Sequence, residues 1–143
     1  MIVLQQLSKS YGAQQAVRGI SLEIPTGQLV GLLGPNGAGK STTIKMLIGM
    51  MLPTSGTAQV EGHDIVRDPL EVKRNVGYVP ESGAVFEALT AREYLRFVAA
   101  LYQIPEKEAD LRIDRFAAFF DLAPADLSSK PLSAFSKGMR QKV

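Results

Sequence analysis

The sequence predicts an α/β fold organised around a phosphate-binding loop, on three observations. An apolar run, QLVGLLG (Gln28 to Gly34), leads into a glycine-rich stretch, GPNGAGKST (Gly34 to Thr42), and then into a helical pattern, TTIKMLIGM. Ahead of it lie two partly alternating strands with short links. Behind it, from about Thr90, apolar residues recur at helical spacing to the end of the chain.

GPNGAGKST fits G-x-x-x-x-G-K-[ST], with Gly34, Gly39, Lys40 and Ser41 at the fixed places. The chemistry explains the spacing. Backbone N–H groups curled around a polyphosphate form an anion nest. Residues without a Cβ let the backbone come close, which suits Gly34, Gly37 and Gly39. Pro35, Asn36 and Ala38 complete the loop, and Thr42 follows it. The helix starting near Lys40 aims its positive end at the same phosphates. Lys40 reaches them as a mobile point charge. Ser41 offers a hydroxyl to Mg²⁺, a hard cation that takes few protein oxygens. The residues imply a nucleotide triphosphate and Mg²⁺ as ligands; that the nucleotide is ATP follows only from the resemblance given below.

The elements read in order as follows. Ile2 to Ser8 and Ala16 to Ile24 are strands, joined by a turn at Tyr11-Gly12 and expected to pair antiparallel. Pro25-Thr26-Gly27 turns into the apolar run 28–34, which reads as a buried strand. The next helix carries Ile44, Leu47, Ile48 and Met51 on one face, and Pro53 is expected to stop it. Pro53 to Gly56 reads as a turn, Thr57 to Gly62 as a strand, and Pro69 to Arg74 as a short helix. Asn75 to Glu81 (NVGYVPE) reads as a strand ending in a loop. Thr90 and Glu93 form a T-x-x-E capping box before a helix striped by Leu95, Val98, Ala99 and Tyr102. Pro105 opens another, striped by Ile113, Phe116, Ala117 and Phe120. A short helix or turn near Ala125 to Ser129 precedes PLSAFSKGMRQKV. His63 reads as a surface-loop residue.

Composition sets limits. The 143 residues make one ordinary domain, 45% hydrophobic and 21% charged, with no cysteine and hence no disulfide framework. A net charge of +2 gives no argument for nucleic acid. No apolar run reaches the roughly 20 residues of a membrane span. MIVLQQLSKSYG lacks the basic start and cleavage site of a signal peptide.

Together these motifs resemble the ATP-binding subunit of an ABC transporter, of the exporter type. GPNGAGKST is similar to that family's Walker A loop. Tyr11 stands where the family has an aromatic residue stacking on adenine. GYVPE (Gly77 to Glu81) stands where the Q-loop begins, with Glu81 in place of glutamine as a further oxygen for Mg²⁺. FSKGM (Phe135 to Met139) resembles the LSGGQ signature: Ser136 and Gly138 match, whereas Phe135, Lys137 and Met139 depart. The resemblance implies that Ser136, Lys137, Gly138 and Met139 face a nucleotide held by a partner subunit.

That likeness further implies a phosphate-loop NTPase of the ABC ATPase type. It would have an N-terminal antiparallel β subdomain, an α-helical subdomain and an incomplete central sheet. The expected division is a nucleotide-binding core over 1–85 and a helical subdomain over 86–143. The implied partners are a transmembrane permease subunit and a second ATP-binding subunit in a head-to-tail dimer. The implied place is cytoplasmic, at the inner face of the cell membrane. The Walker B aspartate, catalytic glutamate and switch histidine find no counterpart here. FAAFFD (Phe116 to Asp121) has a helical pattern and precedes the signature, and His63 precedes the Q-loop. No catalytic residue is therefore assigned, and a truncated product or fragment is expected. A nucleotide-binding segment without hydrolysis, and a soluble ATPase of the same family, stay open as alternatives.

Overall fold

The computed structural model describes residues 1–80 and 85–143. The chain divides into two compact units, Met1–Tyr78 and Val79–Val143.

The first unit is a four-stranded antiparallel sheet with helices. β1 (Ile2–Tyr11) and β2 (Gln14–Ile24) form the expected hairpin, paired from Ile2↔Ile24 to Tyr11↔Gln14. β3 (Ser55–Val60) lies on the other side of β1, and the two-residue β4 (His63–Asp64) completes the order β2-β1-β3-β4. His63 thus belongs to a strand, paired with Val60, rather than to a loop. β1 is bulged: its register shifts between Gln5 and Ser8, and Gln6 has φ 49°. The irregularity lets Leu4 and Leu7, three apart, both turn inward, where strict alternation would bury only one. Gly56 packs on this bulge. A Cβ there would stand 2.1 Å from the Gln6 carbonyl oxygen, so only glycine fits.

Helix α1 (Lys40–Leu47) covers the sheet through Thr43 and Met46, the buried pair. The predicted stripe is displaced: Ile44 is exposed, and Leu47 and Ile48 are half-buried. Pro53 is not the stop. The helix ends at Leu47, six residues before it, and Gly49 (φ 68°) closes it: the Gly49 and Met50 amides donate to the Met46 and Lys45 carbonyls at 3.1 and 2.9 Å. That is a Schellman closure, which a glycine after a helix favours over any later proline. α2 (Pro69–Arg74) forms as expected. The core comprises Leu4, Leu7, Val17, Met46, Ala58, Val60, Ile65 and Val72.

Asp64 fixes the turn into α2. Its carboxylate accepts from the Val66 and Arg67 amides at 2.8 and 3.0 Å and from the Thr57 hydroxyl at 2.8 Å. Burial pushes its pKa up. The three donors outweigh that and hold it below the usual carboxylate value.

Two expected strands are absent. Residues 28–34 form no ladder, and Leu29 and Leu33 are almost fully exposed. Residues 75–80 are likewise irregular. An apolar run without alternation is a strand for the middle of a parallel sheet, buried on both faces. It needs neighbours on both edges, and the described strands pair only with one another.

The second unit is helical: α3 (Ala91–Leu101), α4 (Glu106–Phe119), α5 (Pro124–Ser129), a 3₁₀ turn (Leu132–Ala134) and α6 (Lys137–Lys142). The capping box is complete: the Glu93 amide donates to Thr90 Oγ1, and the Thr90 amide donates to Glu93 Oε2 at 2.8 Å. Ile113 and Ala117 bury against Ala91, Leu122, Leu127, Leu132 and Phe135. Phe116 and Tyr102, expected on the buried stripes, are half or more exposed. Arg92 and Arg96 on α3 clamp α4: Arg92 bonds Asp110 and Asp114 at 3.2 and 2.6 Å, and Arg96 holds Asp110 at 2.7 Å. The Arg96 hydrogen bond, more than any other contact, lowers the Asp110 pKa.

Candidate phosphate site

The loop over 34–39 delivers the chain to α1 with the geometry an anion site needs. Gly39 precedes the helix in the left-handed region (φ 83°, ψ 4°), and no side chain caps the helix. The first closed bond of the helix is Thr43 amide to Gly39 carbonyl, 2.8 Å. The amides of Lys40, Ser41 and Thr42 therefore precede any intrahelical partner. α3 and α6 have side-chain caps, Thr90 and Ser136, whereas α2, α4 and α5, like α1, have none; only α1 has the glycine loop and Lys40 in front of it. A helix whose first turn is left uncapped offers its N–H groups and its dipole to an anion.

Gly39 is held there by contact as well as by conformation. A Cβ on it would stand 2.3 Å from the Ala16 carbonyl oxygen and 3.0 Å from Val17 Cγ2. The start of β2 thus fixes where the loop meets the helix. Lys40 bends back over the loop, and its Nζ donates to the Gly34 and Pro35 carbonyls at 2.7 and 2.9 Å. The ammonium is at the loop mouth, tethered only to neutral acceptors that an anion displaces at low cost. The Ala38 amide closes a turn on the Pro35 carbonyl at 3.2 Å. Asn36 and Gly37 form the exposed tip, and Ser41 and Thr42 open α1, with Ser41 exposed. No group of three or more metal-binding side chains exists among the described residues. A magnesium ion here would take Ser41 and phosphate oxygens, a donor set that suits an ion keeping most of its water.

Tyr11, at the tip of the β1–β2 hairpin, is half exposed, and its hydroxyl donates to Met51 Sδ at 3.0 Å. Lys9 Nζ sits 5.6 Å from the centre of its ring. Tyr11 pairs with Gln14, two residues before Ala16, so this end of the hairpin meets the chain on both sides of α1: Gly39 just before it through Ala16, and Met51, four residues past its end, through Tyr11. Neither Lys9 nor Met51 stands out as a site residue in the sequence. The i, i+2 spacing of Lys9 and Tyr11 along one strand is the signal that points to the first.

In the second unit, Ser136 caps α6: its Oγ accepts from the Met139 amide at 3.2 Å. Lys137, Gly138 and Met139 form the first turn, with Met139 packed on the helical core. A Cβ on Gly138 would meet nothing within 4 Å. Glu81 lies outside the described residues.

A family model described as "ABC transporter" matches residues 17–143. The chain belongs to the ABC transporter family. The ABC transporter ATP-binding protein NatA of Bacillus subtilis is 37% identical over 149 residues, covering 100% of this chain and 59% of its own length. Rat ATP-binding cassette sub-family A member 7 is 37% identical over 145 residues, which is 100% of this chain and 7% of that protein. The chain therefore spans less than two thirds of the curated relatives it matches. A solved ATP binding subunit of an ABC transporter superposes with a TM-score of 0.87 at 37% identity, over 99% of this chain and 58% of that one. A dimeric ATP-binding cassette bound to ADP and Pi superposes at 0.85 with 22% identity over 99% and 66%, a likeness of fold. The fold is that of an ABC-type phosphate-loop ATPase, with its antiparallel N-terminal sheet and its helices.

Proposed function

We propose that this chain is the ATP-binding part of an exporter-type ABC transporter. The carrying observation is the uncapped start of α1, fixed by Gly39 against Ala16 and fronted by the Lys40 ammonium. In this reading the 34–42 amides and Lys40 bind the triphosphate. Tyr11 shelves the adenine, and Ser41, with Glu81, supplies oxygens to Mg²⁺. The ion neutralises phosphate charge when bound; the chain's part is to cradle and orient the nucleotide.

Ser136 and Gly138 face a nucleotide on a second ATP-binding subunit in a head-to-tail dimer. Support comes from Gly138, whose missing side chain relieves no crowding within its own chain. That leaves open space beside the Gly138 backbone for an approaching phosphate. A transmembrane permease subunit is the proposed membrane partner, which would hold the chain at the inner face of the cell membrane. No described helix is long and apolar enough to cross a membrane.

Calorimetric titration with magnesium and ATP tests the reading. Binding should be measurable, and Lys40→Ala should weaken it by about tenfold or more, the size of a lost charge-assisted contact. Equal affinity for both proteins rejects the site.

A further inference from the structure

We infer that Lys9 is a positioning residue for the base of the bound nucleotide, acting through Tyr11. The inference rests on the reading of Tyr11 as the adenine shelf. Lys9 and Tyr11 are both on β1, two residues apart, so their side chains rise from the same face of the strand. The Lys9 ammonium lies 5.6 Å from the Tyr11 ring centre, within the range of a cation–π contact. It is pinned there by donating to the Leu52 carbonyl at 2.7 Å. No carboxylate pairs with it among the described residues. The hydroxyl of the same ring is tied to Met51 Sδ. Leu52 and Met51 are adjacent, so one short segment after α1 fixes both the cation and the phenol.

The arrangement has an electronic consequence. A cation on one side of an aromatic ring draws its π density away from the other side. A purine is electron-rich, and its stacking on that other face gains from the withdrawal. The ring is also kept from turning, which lowers the ordering cost of base binding. Lys9 would thus strengthen recognition of the base while leaving recognition of the phosphates alone.

The test compares magnesium-ATP with magnesium-tripolyphosphate, by calorimetry, on the wild-type protein and three variants. Tyr11→Leu should weaken ATP and spare tripolyphosphate. Lys9→Met should weaken ATP about twofold to fivefold, the measured range for exposed cation–π pairs, again sparing tripolyphosphate. Lys9→Arg, which keeps the cation over the ring, should restore ATP affinity. A Lys9→Met loss shared equally by both ligands would show only long-range charge attraction and overturn the inference. So would an unaltered ATP affinity in Lys9→Met alongside a weakened Tyr11→Leu. If Tyr11→Leu itself binds ATP normally, the shelf reading of Tyr11 fails first and takes the Lys9 role with it.

Discussion

Gly39 and Gly37 separate two reasons for glycine that sequence alone merges. Both have φ near 83°. A Cβ on Gly37 meets nothing within 4 Å, whereas one on Gly39 would strike the Ala16 carbonyl at 2.3 Å. Gly37→Ala should therefore cost only the left-handed conformation, about 1 kcal/mol. Gly39→Ala adds a backbone collision and should cost about 2–4 kcal/mol. Denaturant unfolding of the two variants checks the difference; equal losses would mean that β2 yields to the loop. The motif was legible residue by residue because each place has its own chemistry. The support around it was not: Ala16 touches Gly39 through a carbonyl that every residue type carries. The Ser136 hydroxyl illustrates the converse. It serves as an ordinary helix cap, and the proposed role toward a partner nucleotide asks the same oxygen to act outward.

At the scale of elements, helices with local signals came out as read. The Thr90–Glu93 box and the proline starts at Pro69 and Pro105 are satisfied by residues within one turn. The two expected strands that lie outside the antiparallel sheet did not. Residues 28–34 carry the composition of an interior strand and lie exposed, because their ladder partners are not among the described strands. α1 ends before the expected stop at Pro53 for a local reason: Gly49 offers a closure that needs no proline. The α3–α4 clamp is a tertiary feature with a definite pH response. Asp110 has a folded pKa below its unfolded value, chiefly through Arg96. Its contribution is complete above the unfolded carboxylate value, about pH 4, and is lost as pH falls through the folded one. Asp64 has the same sign. Amide exchange in α3 and α4 should hold steady from about pH 5 to 8 in intrinsic-rate-corrected terms, then rise under acid. Asp110→Asn should flatten that rise, and an unchanged profile would mean that the clamp carries no stability.

For the whole molecule, the two units are each closed around their own core, one on β1 and one on α4. The first holds the phosphate loop and the second the FSKGM stretch. In the proposed dimer, each copy's loop works with the other copy's FSKGM. Gly138→Asp places a charge where the chain itself has open space. Its melting temperature should stay within about 2 °C of the wild type, since exposed sites carry little stability. ATP-driven self-association, followed by light scattering, should fall sharply; undiminished association would rule out pairing through this surface. The claim beneath all of this is that the backbone between Gly34 and Thr42 grips a triphosphate. Nitrogen-15 NMR of the labelled protein, titrated with magnesium and ATP, reads that backbone directly. The amides of Gly37, Gly39, Lys40, Ser41 and Thr42 should move together and saturate at one affinity. A titration that leaves those amides in place while others shift, or that shifts none, would contradict it.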